Sequence, residues 1–332
     1  MKDDRLATTA SAPGKIILFG EHAVVYGRPA IAVPVFQVHA EATIEPRADE
    51  RVEIDAADIA RRYELRAAPP DDPIATLIER TCAQLGVAPR GFTAHIRSTI
   101  PVARGLGSGA AVSVAIARAL GKFFATEDTG NTENKRLRDL APSAAGLSIG
   151  DISALAYEVE KLHHGTPSGI DNTVIAYEQP VYFVRDQPIE SFRVARPFLI
   201  AIADTGVASP TKIAVSDVRR AWESDRARYE ALFDQIGAIA RDARAAIERG
   251  DVDALGPLMN ANQARLREIG VSSPEIETLV DAALRAGARG AKLSGAGRGG
   301  NVIALVDEAN REAIERALIE AGAARVIVTR VE

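Results

Sequence analysis

The distribution of glycine constrains this chain more than any other feature of its sequence. Half of the 26 glycines lie in four short segments, each of which also carries charged or hydroxyl side chains. These glycines are Gly14, Gly20 and Gly27; Gly105, Gly107 and Gly109; Gly165 and Gly169; and Gly290, Gly295, Gly297, Gly299 and Gly300. A single glycine is typical of a tight turn, but glycine also lets a ligand approach the backbone closely. Four dense clusters therefore favour a binding site built from several loops.

Length and composition narrow the class of protein. The 332 residues predict about two domains, at roughly 100–200 residues per domain. A formal net charge of −5 argues against a nucleic-acid partner and a polybasic membrane surface, because both need clustered positive charge. The single cysteine, Cys82, excludes an internal disulfide framework and a cysteine-based zinc site. We expect neither a signal peptide nor an apolar stretch of membrane-spanning length, and hence a cytoplasmic protein.

Hydrophobic periodicity predicts an α+β chain. The predicted strands are 15–19, 30–35, 38–44, 92–100, 181–184, 198–203, 291–294, 302–306 and 325–331. The predicted helices are 109–125, 151–162 with Ser148 or Asp151 as its cap, 210–249 with a break near Gly237, 252–269, 273–286 and 309–320. Polar residues 126–143 predict a surface insert, and 193–197 a domain boundary. The closing order of helix, strand, strand, helix and strand resembles a ferredoxin-like half.

The segment PVARGLGSGAAVS, residues 101–113, places a glycine-rich turn directly before a predicted helix. Successive backbone N–H groups and the helix N-terminus together bind phosphate without a net basic protein. Gly105-x-Gly107-x-x-Ala110 matches the dinucleotide fingerprint by its letters, but the acidic residues at the required distance follow a helix rather than a strand. The P-loop pattern fails at both Gly-Lys pairs of the chain.

Charged residues flank the first glycine segment. Lys15 stands at the mouth of the first predicted strand, where its side chain can either face a cleft or lie at the surface. Glu21 and His22 follow that strand. A substrate contact and a buried, hydrogen-bonded histidine are both compatible with the position of His22.

Glu160 and Asp171 are the pair of carboxylates best suited to metal binding and proton transfer. Glu160 lies near the end of a predicted helix, and the loop HHGTPSG turns the chain to bring Asp171 back. Beside a phosphate nest, one carboxylate can hold Mg²⁺ while the other receives or orients a hydroxyl proton. The alternatives are a solvated helix face for Glu160 and a simple turn or cap for Asp171.

Together the four segments resemble those of the GHMP small-molecule kinases, and within them the members that phosphorylate mevalonate. Galactokinases are similar at Gly-Glu-His but continue differently afterwards. The resemblance rests on APGKIILFGEHAVVYGRPAIAV (12–33), on PVARGLGSG (101–109) against the phosphate loop PxxxGLGSS, on HGTPSGIDN (164–172) against the segment of the catalytic aspartate, and on KLSGAGRGG (292–300) against the motif KxTGAGGGG. Order and spacing agree over roughly residues 12–302.

The resemblance implies an ATP- and Mg²⁺-dependent kinase that phosphorylates the primary hydroxyl of mevalonate in isoprenoid biosynthesis. It implies an α+β, two-domain GHMP kinase fold, with a ribosomal-protein-S5-domain-2-like α/β half at residues 8–193 and a ferredoxin-like half at residues 194–332. The implied partner is a small molecule, with neither nucleic acid nor membrane. Whether the chain is a monomer or a homodimer stays open.

Roles for individual residues follow from the same resemblance. Asp171 would accept or orient the hydroxyl proton, Lys15 would stabilise the incipient alkoxide, and Glu160 would bind Mg²⁺. The implied ATP-binding residues are Gly105, Leu106, Gly107, Ser108, Gly109, Ala110, Ser294, Gly295, Ala296 and Gly297. The implied mevalonate-binding residues are Lys15, Glu21, His22, Asp171 and Thr211.

Three residues depart from the family's pattern. Gly109 replaces a second serine that shares Mg²⁺ with the glutamate, which leaves Glu160, the phosphates and water to complete the octahedron. Arg298 replaces a glycine and could brace phosphate or point to solvent, and Asn301 replaces a common cysteine. The rival functions are phosphomevalonate kinase, the ATP-dependent decarboxylase of the same fold, and a ligand-sensing pseudokinase. The retained lysine and two carboxylates argue against the pseudokinase.

Overall fold

The structure is a computed structural model that describes residues 6–102, 104–127, 146–164, 168–209 and 211–332. Most of the predicted surface insert lies outside these ranges, as do Gly165 and Pro210. Within the described ranges the chain forms two sheets, each packed against helices. The first sheet uses strands up to Ser191 and the second begins at Phe198. The domain division at 193/194 stays a prediction, and it falls between these two sheets.

The N-terminal half is a mixed sheet with helices on its buried face. Its strands are β1 (Thr8–Phe19), β2 (Ala30–Pro46), β3 (Val52–Ala56), β4 (Arg61–Glu64), β5 (Phe92–Ser98), β6 (Val181–Phe183) and β7 (Glu190–Ser191). Its helices are α1 (Pro73–Gln84), α2 (Ser108–Glu127), α3 (Ile149–His164) and α4 (Ile170–Tyr177). The strand order is β4-β3-β5-β2-β6-β7, with β1 also paired to β2, and only β3 and β5 are parallel among the described pairs. The sequence analysis missed α1, α4, β3, β4 and β7.

A register shift in β1 lies where this strand meets the phosphate loop. The antiparallel pairing with β2 slips between Pro13 and Gly14. A Cβ on Gly14 would lie 3.0 Å from Val38 Cγ2 and 3.2 Å from the carbonyl oxygen of Leu106. A side chain at Gly14 would be tightly packed where the phosphate loop crosses the strand, and the Lys15 amide donates to that Leu106 oxygen at 3.0 Å.

Helix α2 is the central helix of this half and carries a run of buried alanine, valine, isoleucine and phenylalanine. Its window Ser108–Ala125 is long and apolar enough to cross a membrane by length and composition alone. The expectation that no apolar stretch approaches that length is therefore wrong for this helix. Because 61% of the window is buried inside the protein, packing of the core accounts for its apolar character.

Helix α3 begins at Ile149, two residues before the predicted start. Ser148 is its cap, since Ser148 Oγ accepts from the Asp151 amide at 3.1 Å and Asp151 Oδ2 accepts from the Ser148 amide at 3.0 Å. The two alternatives for the cap are therefore the two halves of one reciprocal arrangement. The next helix, α4, begins directly after Gly169, whose φ of 89° turns the chain into the helix.

The C-terminal half is an antiparallel sheet with helices on one face. Its elements are β8 (Phe198–Asp204), α5 (Thr211–Ser224), α6 (Arg226–Arg249), α7 (Val252–Glu268), α8 (Pro274–Arg285), β9 (Gly290–Ser294), β10 (Asn301–Val306), α9 (Arg311–Glu320) and β11 (Arg325–Val331). The strand order is β11-β8-β10-β9. This order confirms the predicted ferredoxin-like half.

The predicted break near Gly237 is wrong. The chain breaks at Asp225, which caps α6 by accepting from the Arg228 amide at 3.3 Å, and α6 runs unbroken through Gly237. A Cβ at Gly237 would lie 3.0 Å from Arg28 Cγ and 3.3 Å from Pro29 Cδ. Glycine therefore serves here to admit the turn between β1 and β2, not to end a helix.

Candidate active site

A cavity of about 370 Å³ lies between the two halves. Both halves contribute to its wall, as the glycine segments predicted. The lining residues are Lys15, Ile17, Glu21, His22, Val24, Val25, Gly105, Glu160, Ser168, Ile170, Asp171, Thr211, Lys212, Val215, Ser216, Arg219, Gly295 and Ala296. The cavity thus gathers the charged residues singled out in the sequence, together with a face of α5.

Lys15 and Asp171 form an ion pair at the cavity wall. Lys15 Nζ lies 2.9 Å from Asp171 Oδ1, and the side chains are 4% and 26% exposed. The Lys15 backbone N–H donates a hydrogen bond to the Leu106 carbonyl, while Asp171 occupies the first turn of α4. The Lys15 ammonium is therefore buried in the wall, and the more accessible Asp171 carboxylate faces the cavity.

The phosphate loop has the backbone that its glycines predict. Gly105 and Gly107 have φ of 82° and 75°, in the region that side chains disfavour. Leu106 is buried, and Ser108 is the first residue of α2. The Gly107 carbonyl accepts the Ala111 amide at 2.9 Å, so the amides of the first turn remain available to an anion. Gly109 is exposed, and Ala110 faces the core.

Glu160 is a buried carboxylate on α3, 7% exposed, at the same wall. Burial, followed by the charge of Asp171, raises the pKa of Glu160 to about 8, and the Lys15 ammonium opposes that rise. Within the described part of the chain no group donates a hydrogen bond to it. The solvated helix face is therefore excluded for Glu160, and a carboxylate in this position suits a cation.

Glu21 engages residues that the sequence analysis did not single out. Its Oε1 pairs with the Lys292 ammonium, and its Oε2 accepts from Asn262 Nδ2 at 3.0 Å. Glu21 and Lys292 are both fully buried. Lys292 also donates to the Leu293 carbonyl. Both carboxylate oxygens of Glu21 are thus occupied by the C-terminal half, which joins the halves beside the cavity.

His22 lies at the centre of a γ-turn of the rare positive-φ form. Its φ is 59° and ψ −48°, and the Ala23 amide donates to the Glu21 carbonyl at 2.6 Å. Nε2 lies 2.9 Å from the Ala296 carbonyl, which can only accept, so Nε2 carries the proton and Nδ1 is a buried acceptor without a protein partner among the described residues. Burial lowers the pKa of His22 to about 4. The ring is therefore neutral near pH 7.

The C-terminal glycine loop, residues 295–300, closes the other side of the cavity. Ser294 is buried, and its Oγ donates to the Ile17 carbonyl at 2.8 Å and accepts from the Ile17 amide at 3.1 Å. Its hydroxyl is thereby committed to β1. Gly295 and Ala296 line the cavity, whereas Gly297 packs against the Val271 carbonyl.

Asn301 links the C-terminal half to the phosphate loop. Its Nδ2 donates to the carbonyl of Arg104, the residue before Gly105. Arg104 Nη1 lies 3.6 Å from Asp204 Oδ1 at the end of β8. The phosphate loop is thus attached to the C-terminal sheet at two points.

Helix α5 supplies the remaining wall. Thr211 is its first residue and lies at the cavity, as do Lys212 and Arg219. Neither Lys212 nor Arg219 forms an ion pair with a residue that the structure describes. The sequence analysis missed both cations, although their spacing along a predicted helix was compatible with one face.

Comparisons with known proteins agree with this arrangement. The family model "GHMP kinases N terminal domain" matches residues 73–179, and "GHMP kinases C terminal" matches residues 243–324. The chain is 33% identical to a mevalonate kinase of Thermococcus sibiricus, covering 97% of this chain and 95% of that one. It is 33% identical to one of Aeropyrum pernix, covering 93% and 91%.

Solved structures give the same result. The crystal structure of L. major mevalonate kinase in complex with R-mevalonate superposes with a TM-score of 0.80 at 27% identity, covering 100% of this chain and 98% of that chain. The fold, the loop arrangement and the family matches extend over both halves. The chain is a member of the GHMP kinase family, in its mevalonate kinase branch.

Proposed function

We propose that the cavity holds mevalonate with its primary hydroxyl beside Asp171, and that the chain transfers the γ-phosphoryl group of ATP to this hydroxyl. The product is 5-phosphomevalonate, an intermediate of isoprenoid synthesis. The observation that carries the assignment is the Lys15–Asp171 ion pair, 2.9 Å long, at the wall of a cavity bounded by both glycine loops. Relatives that match 97% and 93% of the chain are named mevalonate kinases.

The ion pair suits the proton transfer that accompanies phosphorylation. Asp171 would accept the hydroxyl proton as the oxygen forms its bond to the γ-phosphorus and the bond to ADP breaks. The Lys15 ammonium lies where negative charge develops on that oxygen, so it would stabilise the transition state more than the ground state. Positioning by the buried lysine stem adds to this effect.

The phosphate loop would bind the donor. The amides that begin α2, after Gly105 and Gly107, would bind an anion at the positive end of a 20-residue helix. Gly295 and Ala296 approach from the other half. These contacts come from the backbone, which is why an acidic chain can bind a triphosphate.

Glu160 fits a metal ligand. Its carboxylate is buried and has no hydrogen-bond donor among the described residues. Burial disfavours its charged form and raises its pKa to about 8, so a bound cation would stabilise the charged form. Mg²⁺ held by Glu160 would neutralise charge on the ATP phosphates. No cluster of three or more His, Cys, Asp or Glu that could hold a metal is found in the described ranges. Phosphate and water oxygens would therefore supply the remaining ligands.

The two cations on α5 would orient the substrate. Mevalonate carries a carboxylate at the end opposite its primary hydroxyl, and Lys212 and Arg219 lie on the cavity wall without an ion pair to any described residue. The unpartnered Nδ1 of His22 would accept from the tertiary hydroxyl between these ends. Glu21, with both oxygens occupied, would act by positioning His22 rather than by touching substrate.

Substrate profiling tests the assignment. ADP release should be measured with mevalonate, phosphomevalonate, homoserine and galactose, and we expect turnover with mevalonate alone. Preference for phosphomevalonate would instead assign Lys212 and Arg219 to a second phosphate. ATP binding without turnover of any of the four would favour a pseudokinase.

A further inference from the structure

Arg298 holds a left-handed backbone conformation inside the C-terminal glycine loop. Its φ of 57° is unfavourable for a residue with a side chain, and the family's pattern has glycine at this position. Its amide donates to the Val271 carbonyl at 2.8 Å, and a Cβ on the preceding Gly297 would lie 2.2 Å from the same oxygen. The loop is thus packed too closely for Arg298 to relax. A strained residue within a functional loop makes its side chain a candidate for a task there.

The Arg298 guanidinium reaches from this loop to α5. Its Nη1 forms an ion pair with Asp217, in the middle of that helix. Asp217 also pairs with Arg220, whose side chain is 75% exposed and belongs to α5 itself. Of these two partners, Arg298 is the one that connects Asp217 to another element.

Helix α5 is also anchored near its C-terminal end, where Trp222 Nε1 donates to Glu230 Oε1 of α6 at 2.9 Å and the Trp222 ring packs against Tyr26. Of its residues, Ala214 and Val218 are buried. The segment before it is held by Ser209 Oγ, which donates to the Gly297 carbonyl at 2.7 Å. Asp217 lies six residues after Thr211, about 9 Å further along the helix axis. The Arg298–Asp217 pair therefore ties the middle of the helix to the glycine loop, between the anchors at its two ends.

We infer that Arg298 is a positioning residue that couples nucleotide binding at the glycine loop to mevalonate binding at α5. The cavity-facing side chains of α5, including Lys212 and Arg219, flank Asp217, so the link sets their place in the wall. The loop also contacts His22 through the Ala296 carbonyl. A nucleotide that orders the loop therefore favours the α5 position that binds substrate, and linkage requires the reverse. The inference rests on the proposed function, because it assigns the loop to ATP and α5 to mevalonate.

Calorimetry of mevalonate binding tests this coupling. Mevalonate is titrated into the protein alone and into the protein saturated with Mg²⁺ and a non-hydrolysable ATP analogue, and the ratio of the two Kd values is the readout. The variants are Arg298→Ala and Arg298→Gly, the second of which removes the backbone strain and protects folding. Arg220→Ala is the matched control, since it removes the other partner of Asp217. The charge-reversed double variant Arg298→Asp with Asp217→Arg restores the link in the opposite sense.

We expect the analogue to tighten mevalonate binding by about two- to fivefold in the wild type, the range of a partly exposed ion pair. The ratio should fall to about one in both Arg298 variants, persist in Arg220→Ala, and return in the double variant. An unchanged ratio in Arg298→Gly, or its loss in Arg220→Ala, would overturn the inference while wild-type binding left the proposed function intact. A wild type that neither binds nor turns over mevalonate would overturn the proposed function as well.

Discussion

The stem of Lys15 passes directly beside Gly107. A Cβ at Gly107 would lie 3.0 Å from Lys15 Cγ and 2.7 Å from Ile175 Cδ1, and the φ of Gly107 is 75°. The loop that would hold the ATP phosphates therefore also fixes the lysine whose ammonium pairs with Asp171. Phosphate binding and the placement of the catalytic pair share one piece of backbone.

Gly107→Ala should damage catalysis more than folding. The new methyl group must displace Lys15 or Ile175, and the positive φ costs about 1–2 kcal/mol. We expect kcat to fall by about 10- to 100-fold, because small displacements of reacting groups cost that much. Steady-state kinetics and urea unfolding measure the two effects. Gly109→Ala is the matched control, since nothing lies within 4 Å of its Cβ position; equal losses in both variants would contradict the account.

Gly109→Ser should lower the Mg²⁺ concentration at which the protein is active. The helix has open space at this position, so a serine hydroxyl can join Glu160 without displacing a neighbour. We expect the Mg²⁺ concentration for half-maximal activity to fall by about two- to tenfold, as one more oxygen ligand becomes available. A titration of activity with Mg²⁺ at fixed ATP measures this midpoint. No change in the midpoint would remove position 109 from the metal's surroundings.

Lys292→Met should destabilise the protein strongly, because it leaves the fully buried Glu21 carboxylate without its ammonium. Loss of one partner of a buried pair costs about 3–5 kcal/mol. The double variant with Glu21→Gln removes the unpaired charge and should recover most of that loss. Arg289→Ala is the control just before the same strand, where an exposed ion pair with Asp253 contributes less than about 1 kcal/mol. Denaturant unfolding of the four proteins gives the comparison, and a double variant no more stable than Lys292→Met would refute it.

His22 should make stability depend on pH in mildly acidic solution. Because its folded pKa of about 4 lies below the unfolded value of 6.5, the unfolded chain binds a proton between these values and the folded chain does not. The contribution is complete above about pH 6.5 and is lost as the pH falls towards 4, by about 3 kcal/mol in total. Urea unfolding at pH 7.0, 5.5 and 4.5 should show a shallower pH dependence for His22→Asn than for the wild type. An equal pH dependence of stability in the two proteins would assign the effect to a group other than His22.

Much of the site could be predicted because its residues lie in local motifs. The glycine turns around Gly105 and Gly107 carry their own signal, since only backbone that needs positive φ repeats glycine before a helix. The strand mouth left Lys15 open between a cleft and the surface, and the carboxylates Glu160 and Asp171 were grouped by the loop between them. The structure brings Lys15, Gly105, Glu160 and Asp171 to one cavity, and Gly107 packs against the stem of Lys15.

What the sequence could not reveal depends on contacts between distant segments. Lys292 lies within the motif KLSGAGRGG, but its partner Glu21 is 271 residues away, and no rule of sequence spacing predicts their contact. The turn-like letters around Gly169 concealed α4, which is only eight residues long. At Gly237 the local preference for a break lost to packing, because the helix makes room there for Arg28.

The most direct test of the central claim is the turnover of Asp171→Asn with mevalonate at saturating ATP and Mg²⁺, beside nucleotide binding by the same variant and by Lys15→Met. Asparagine keeps the shape of the side chain but cannot take the hydroxyl proton. We predict that kcat falls by at least about 100-fold, the range for loss of a general base, while the Kd for ATP stays near the wild-type value. A near-normal kcat for Asp171→Asn would contradict the assignment of Asp171 and Lys15 as the catalytic pair.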